Sequence, residues 1–338
     1  MKRMTIYDIA KNLGVSPSTI SKVLNETGNV SLETRKKILE YIKSVDYVPQ
    51  ASARMLKSKR TYTIGIVFTE ESSVGLEHSF FSSILQHFKT EIEKEGYELS
   101  FIVTQLGKHK LSYREWCINK RVDGVYIVVG NYEDKGLYEL IDSNIPCISN
   151  DMIVPNLTTV ISDNEQAMDI IMSYIKNDLK ITKVGYLSGP SKSKAFAART
   201  QYFLEHHREH GLEIKPEWMG ETLGYGVNSY AKTMEMFDKN NLPEVLIVGS
   251  DDISLGTIKA FKKMGLRIPE DIQIIGFDDV AFAQHFEVPL TTIRQDRERL
   301  GKTAAQTLIE MIENNRIKDT KVIKIPVELI ERETTIKK

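Results

Sequence analysis

The sequence predicts a small all-helical head followed by a larger α/β body built on doubly wound parallel sheets. Apolar residues recur at helical spacing through residues 1–46. From residue 63 onward, short β-branched runs alternate with helical spacers in two successive series. Residues 1–60 carry 12 Lys and Arg against 5 Asp and Glu, whereas the rest of the chain carries 33 against 41. Charge and periodicity therefore divide the chain at the same place.

Length and composition are those of an ordinary globular protein. The 338 residues are 41% hydrophobic and 27% charged, which leaves room for two or three domains. No apolar run is long enough to span a bilayer, and the N-terminus has no apolar signal core, so we expect a cytoplasmic protein. Cys117 and Cys147 lack metal-type spacing, which predicts two reduced, buried thiols.

The head is predicted to contain three short helices. The first begins at Thr5, with Asp8 placed to complete a capping box. The second is preceded by Ser16, a preferred N-cap, and has Pro17 at its first position. The third begins after Ser31. A helix, a tight turn and a capped second helix form the helix-turn-helix pattern, whose second helix enters the DNA major groove.

The polar side of the second helix suits a polyanion. Ser16, Thr19 and Ser21 can donate to phosphate oxygens, and Lys22 can reach the acceptor atoms of guanine. The net charge of +7 on the head, against −8 on the rest, favours a polyanionic partner for the head alone. The alternative is a three-helix bundle whose polar face only meets water, and the charge makes it the weaker interpretation.

The body is predicted to consist of parallel strands covered on both faces. Most candidate strands are continuous β-branched runs, as expected of such strands. Candidate strands are 63–68, 98–103, 124–129, 147–149, 159–162, 184–187, 245–248, 272–276, 291–294 and 322–325, with helical spacers such as 80–94, 164–177, 196–210, 229–240 and 253–264.

The head and several body motifs resemble one known family. The head reads "MTIYDIAKNLGVSPSTISKVLNETGNVSLETRKKILEYIKSVDYVP", and the body contains, in order, "RVDGVYIV", "VISDN", "GSDDISLG", "RIPEDIQIIGFDD" and "PLTTIRQD". On these motifs the chain is identified as a member of the lactose/galactose-repressor (LacI/GalR) family of bacterial transcription regulators. Membership implies a homodimeric, ligand-responsive DNA-binding regulator, here expected to be a repressor, acting on a near-palindromic operator.

The resemblance implies three kinds of DNA contact. Pro17, Ser18 and Lys22 take the base-reading positions, and Lys22 stands where Arg is common. Leu56 takes the place of a leucine wedge that opens a central base step, within a hinge helix over 49–60. The alternative for Leu56 is an ordinary residue of a solvated linker. Phosphate contacts are implied for Tyr7, Ser16, Thr19, Ser21, Asn25, Ser31 and Thr34.

For the body, the resemblance implies the periplasmic-binding-protein fold, in which three crossovers join two α/β lobes around a ligand cleft. The head then covers 1–48, the hinge 49–60 and the effector domain 61–338. Lobe 1 is expected over about 61–162 plus 294–320 and lobe 2 over about 163–291 plus 322–335, with crossovers near 162–164, 292–296 and 319–321.

Polar residues at strand ends and aromatic residues are the effector candidates that the resemblance implies. Carboxylates, a guanidinium and a hydroxyl suit a polyhydroxylated ligand, such as a sugar or sugar derivative, and aromatic rings can stack on a sugar or purine face. For any single aspartate, the alternative is a helix cap or a surface ion pair. The candidates are Asp151, Arg199, Ser250 and Asp278 with the aromatic residues Phe80, Phe81 and Tyr225.

An enzyme and a transport binding protein are the competing function classes. The paired carboxylates 251–252 and 278–279 could perform acid–base work, but neither a nucleophile–base constellation nor a phosphate-binding glycine loop accompanies them. His206 and His210 have metal-site spacing, although an exposed helix face is the favoured interpretation. A transport protein would need export, and neither class needs a basic three-helix head. We therefore expect no catalytic residue, metal or cofactor.

Overall fold

The computed structural model describes residues 4–24, 27–47, 60–69, 75–224, 226–314 and 320–338. The chain divides into two compact units between Tyr62 and Thr63, the head and the body. Each unit has a hydrophobic core of its own. The predicted hinge, with Leu56, lies outside the described residues apart from Arg60.

The head contains the three predicted helices, α1 (Ile6–Leu13), α2 (Pro17–Leu24) and α3 (Leu32–Ser44). The capping box is formed, because the Asp8 N–H donates to Thr5 Oγ1 and the Thr5 N–H donates to Asp8. The three helices close over a small apolar core of Ile9, Ala10, Ile20, Val23, Ile38 and Tyr47.

The body alternates strands with helices, as predicted. Its helices are α4 (Ser79–Lys94), α5 (Tyr113–Lys120), α6 (Lys135–Ile141), α7 (Asn164–Tyr174), α8 (Lys194–His206), α9 (Val227–Met236), α10 (Asp251–Lys263) and α11 (Arg297–Asn314). Its strands are β1 (Thr63–Phe68), β2 (Glu98–Phe101), β3 (Gln105–Leu106), β4 (His109–Lys110), β5 (Gly124–Val129), β6 (Cys147–Ser149), β7 (Thr158–Ser162), β8 (Val184–Ser188), β9 (Met219–Glu221), β10 (Val245–Val248), β11 (Gln273–Asp278), β12 (Thr291–Gln295), β13 (Val322–Ile325) and β14 (Val327–Ile330).

Two six-stranded sheets form the two lobes. The lobe 1 sheet has the order β13-β7-β6-β5-β1-β2 and is parallel throughout. The lobe 2 sheet has the order β14-β12-β11-β10-β8-β9 and is parallel except for β14, which runs antiparallel to β12. Helices cover the sheets, and α11 returns to lobe 1, where Gly301 allows close approach to α4. The doubly wound α/β architecture is confirmed.

The predicted lobe boundary at residues 319–322 is wrong, because the third crossover lies elsewhere in the structure. Asp319, the first residue of the predicted crossover, lies outside the described residues. Val322 pairs in parallel with Thr159, so β13 belongs to lobe 1 and not to lobe 2. The chain then crosses at Pro326 and pairs as β14 with β12. Proline has no N–H for a sheet ladder, so the extended chain can leave one sheet and join the other at this residue.

Candidate DNA-binding head and effector cleft

A cluster of three hydroxyls lies at the start of α2. Ser16 Oγ accepts from the backbone N–H of Thr19 at 3.1 Å and lies 2.7 Å from Ser18 Oγ and 2.9 Å from Thr19 Oγ1. The N-terminal end of a helix carries partial positive charge and favours an anion. The cluster therefore offers preordered donors to a phosphate oxygen.

The other predicted DNA contacts lie on several parts of the head. Tyr7 is 75% exposed, and Pro17 is exposed beside the hydroxyl cluster. Lys22 follows Ser18 by four residues, so the two share one face of α2. Of the rest, Ser31 is exposed and caps α3 through Thr34, Ser21 and Thr34 are half-buried, and Asn25 lies outside the described residues.

The cleft between the lobes contains a cavity of about 180 Å³. Phe80 and Phe81 of α4 line it from lobe 1 with Asp151, which follows β6, and Arg199 of α8 lines it from lobe 2. The two phenyl rings meet edge to face, with centroids 5.2 Å apart. The structure thus brings four of the seven predicted effector residues to one cavity.

Arg199 is held rigidly in the wall of the cavity. Its Nε donates to Asn164 Oδ1 at 2.7 Å, and its Nη1 donates to the Gly249 carbonyl at 2.9 Å. The guanidinium carbon lies 3.4 Å from the centroid of the Phe277 ring. Only 5% of the residue is exposed. A guanidinium held in this way presents a fixed positive charge to the cleft.

Asp151 is the carboxylate of the lobe 1 wall. Burial raises the pKa of Asp151 to about 6, although the Gly130 N–H, 3.4 Å from Oδ2, acts in the opposite direction. Its backbone is fixed by Tyr132, whose hydroxyl donates to the Asp151 carbonyl and accepts from the Ile153 N–H. The side chain is thus positioned to accept hydrogen bonds from a ligand in the cavity.

Asp278 and Ser250 lie behind the cavity wall instead of lining it. Gln295, which does line the cavity, donates to Asp278 Oδ1 at 2.5 Å. Burial raises the pKa of Asp278 to about 7, against the opposing effect of Arg199. Ser250 caps α10 by accepting from the Ile253 N–H at 3.2 Å. The Ser250 hydroxyl is therefore engaged as a helix cap in this structure. Tyr225 lies outside the described residues.

The paired carboxylates point to different partners. Asp251 is fully buried and accepts from Thr292 Oγ1 at 2.7 Å and from the Val280 N–H at 3.0 Å; burial, followed by the charge of Asp278, raises its pKa. Asp279 pairs with Arg332 and Arg294, which lower its pKa despite burial. Asp251 and Asp279 are thus held by different partners.

Seven polar residues of the cavity were not among the predicted contacts. One signal was available for three of them, because Ser162 and Asn164 belong to the quoted motif "VISDN" and Gln295 belongs to "PLTTIRQD". Which strand-end residue reaches the cavity depends on the opposing lobe, and sequence spacing does not contain that information. The seven are Asn150, Ser162, Asn164, Glu165, Lys194, Gln295 and Lys324.

The histidines of "EHHREH" make separate polar contacts. His206 Nδ1 lies 3.0 Å from Glu209, and His210 Nε2 lies 3.1 Å from Asp169. Within the described ranges, no group of three or more His, Cys, Asp or Glu side chains could hold a metal ion. The same ranges contain no helix that is long and apolar enough to cross a membrane.

Comparison with known proteins assigns the chain to a family. Residues 5–50 match the model of the lacI family of bacterial regulatory proteins, and residues 177–335 match that of a periplasmic binding protein-like domain. The HTH-type transcriptional repressor PurR of Pasteurella multocida is 32% identical over 333 residues, which is 98% of each chain. The chain belongs to the LacI/GalR family. The PurR repressor of Mannheimia succiniciproducens is 33% identical, over 98% of this chain and 99% of that protein.

Solved structures share the whole fold of this family member. The Lac repressor dimer bound to operator and the anti-inducer ONPF superposes with a TM-score of 0.81 at 24% identity, over 99% of this chain and 100% of that chain. A complex of the transcriptional regulator CelR with cellobiose gives 0.69 at 23% identity, over 98% and 100%. The helical head and the two-lobed α/β body are therefore arranged along the chain as in known members.

Proposed function

We propose that the protein is a transcription repressor whose head binds a near-palindromic operator and whose operator affinity is set by a small polar effector in the cleft. The observation that carries this proposal is the hydroxyl cluster of Ser16, Ser18 and Thr19 on a basic helix-turn-helix head. Similarity to repressors over nearly the full chain supports it. The two PurR relatives named above are transcriptional repressors, so we place the chain in the cytoplasm and outside the enzymes.

The head reads DNA through α2. Hydroxyls at the start of the helix bind phosphates and fix its register, while Pro17, Ser18 and Lys22 face the base edges. Lysine is a point charge without the bidentate fork of arginine, so Lys22 recognises guanine less strictly than an arginine would. One helix-turn-helix covers only a half-site, which requires two copies on the operator.

A second copy of the chain fits an apolar patch on lobe 2. Leu223 and Val227 are 87% and 82% exposed, and Leu255 on α10 is 50% exposed. The backbone is closely packed between Gly226, which precedes Val227, and Gly256, which follows Leu255. A Cβ on Gly256 would lie 2.2 Å from the Gly226 carbonyl oxygen. Exposed apolar side chains on neighbouring segments can form a protein interface, and we assign these three to the homodimer.

The effector couples to DNA through the two lobes. Because both lobes contribute to the cavity, a ligand stabilises one arrangement of the lobes over another, and such coupling between sites is typically about 1–3 kcal/mol. Carboxylate, guanidinium and amide groups of the wall match the hydroxyls of a sugar or sugar derivative, with Phe80 and Phe81 stacking on its ring.

The test is a release assay on DNA. Labelled genomic fragments held by the purified protein are challenged with a panel of neutral sugars, acid sugars and sugar phosphates, and retention is measured by fluorescence anisotropy. Selective release, or selective tightening, by a few related compounds supports effector control. Specific retention that none of the sugar compounds changes contradicts the sugar-type effector. An Asp151→Asn variant serves as the matched control, since it is expected to lose the response.

A further inference from the structure

The charged side chains of the effector cavity are not balanced. Lys194, Arg199 and Lys324 line it together with two carboxylates, Asp151 and Glu165. Lys324 is neutralised locally, because its Nζ lies 2.6 Å from Glu165 and 3.5 Å from Asp163. Two cations then face the single remaining carboxylate of the wall, Asp151.

Lys194 is the cation that the fold leaves for a ligand. It is the first residue of α8, and its exposed ammonium lies 5.6 Å from the centroid of the Tyr132 ring on lobe 1. In the described part of the chain, no carboxylate forms an ion pair with it. An exposed cation–π contact contributes only about 0.5–1 kcal/mol, so a stronger anionic partner can displace it.

Lys192 provides the contrast. It lies two residues earlier on the same lobe and reaches the same segment of lobe 1, where its Nζ is 3.9 Å from Glu133. It does not line the cavity. The two lysines are therefore chemically matched. They differ in that Lys192 has a carboxylate partner and only Lys194 lines the cavity.

The surroundings of Asp151 also favour a ligand with an anionic group. Burial raises the pKa of this carboxyl group to about 6, because a buried position disfavours its charged form. Arg199 cannot lose its proton in a protein and keeps its positive charge at all relevant pH values. The cavity wall therefore contains the permanent positive charge of Arg199 in addition to the ammonium of Lys194.

We propose that the effector carries an anionic group, a phosphate or a carboxylate, and that Lys194 binds this group where it lines the cavity. Lys194 is thus a specificity-determining residue that selects a phosphorylated or acid sugar over its neutral parent. This inference rests on the proposed function in one respect, namely that the cleft is the effector site. It does not depend on DNA binding.

The test measures anion binding by the full-length protein, by isothermal titration and by the thermal unfolding midpoint. Inorganic phosphate and acetate are the probes, each compared with chloride at matched ionic strength, and Lys194→Gln and Lys192→Gln are compared with the unaltered protein. Phosphate stabilises many proteins without specific binding, so the decisive quantity is the difference between variants. The two probes also separate a phosphate effector from a carboxylate effector.

We expect at least one anion to bind, and Lys194→Gln to weaken its binding about tenfold, as for the loss of a charge-assisted hydrogen bond. Lys192→Gln should change binding less than twofold. Equal binding by all three proteins, or no binding above chloride, overturns the proposal. Either result leaves operator recognition to be judged separately by DNA retention, so failure of the anion site and failure of the repressor function are distinguishable.

Discussion

Gln295 Nε2 donates to Asp278 Oδ1 at 2.5 Å, and this hydrogen bond joins the wall of the effector cleft to a buried carboxyl group. Asp278 has a φ of +118°, a conformation that side-chain-bearing residues rarely adopt. Such strain persists where the surrounding structure over-determines it, often at functional sites. A ligand that moves Gln295 therefore acts on a residue tied to the end of β11.

The pH dependence of the free energy of unfolding should reveal the titration of the Asp278 carboxyl group. Burial holds the pKa of Asp278 at about 7, compared with about 3.9 in an unfolded chain. Between these values the folded state binds more protons, so the free energy of unfolding falls as pH rises from about 4 to 7 and then levels off. Asp278→Asn removes this contribution, and the slope over pH 5–7 should flatten.

Urea unfolding followed by the fluorescence of Trp116 and Trp218, one in each lobe, measures that slope. The charged groups facing Asp278 are Arg199, Asp251, Asp252 and Arg297, and they are the same in both proteins. Glu139→Gln, at an exposed position of α6, is the control and should leave the slope unchanged. Parallel slopes for Asp278→Asn and the unaltered protein would contradict the assignment.

A second buried carboxylate should make Thr292 important for stability. Thr292 Oγ1 donates to Asp251 Oδ1 at 2.7 Å, and both residues are fully buried. Thr292→Val keeps the shape but removes this donor, which should destabilise the body by about 1–3 kcal/mol. Thr292→Ser retains the hydroxyl and should lose distinctly less. Urea midpoints compare the two variants, and equal losses would show that the hydrogen bond contributes little.

Elements defined by local chemistry were predictable from the sequence. The capping box at Thr5 and the N-cap at Ser31 act within one helical turn, and both helices begin where predicted. Buried parallel strands such as β5 were predicted to the residue because every side chain in them is apolar or small. Cys117 and Cys147 are buried free thiols, as expected.

Features defined by long-range pairing were not predictable. The strand β14 was missed, and the lobe boundary was misplaced, because whether Val322 or Val327 joins a given sheet is decided by partners over 30 residues away. In the cleft, Gln295 stands between Asp278 and the cavity, an arrangement that spacing along the chain did not indicate. The positions of the side chains on the two lobes determine which groups line the cavity, and the spacing of residues along the sequence does not reveal these positions.

The wedge assigned to Leu56 remains a prediction, since the residue lies outside the described ranges. If it opens a central base step, Leu56→Ala loses the apolar contact that offsets a few kcal/mol of unstacking, and operator affinity should fall about tenfold or more. Met55→Ala is the neighbouring control. Anisotropy titration with operator DNA gives both values, and unchanged affinity for Leu56→Ala rules the wedge out.

The lobe 2 patch should control dimerisation. Leu255→Glu places a charge in the proposed interface, which should weaken the dimer by about 2 kcal/mol, roughly thirtyfold in dissociation constant. Leu204→Glu is a matched change on α8, where the leucine is 47% exposed against 50% for Leu255. Sedimentation equilibrium distinguishes them. A dimer that tolerates Leu255→Glu as well as Leu204→Glu would place the interface elsewhere.

Sequence-specific recognition by the head is tested most directly by one selection. Fragmented DNA from the source bacterium is incubated with the purified protein at moderate salt, and the retained fragments are sequenced, with Lys22→Gln run in parallel. We predict enrichment of a short near-palindrome upstream of one operon, weakened by Lys22→Gln. Retention without sequence preference would mean that the basic head binds charge alone, and would contradict the assignment as an operator-binding repressor.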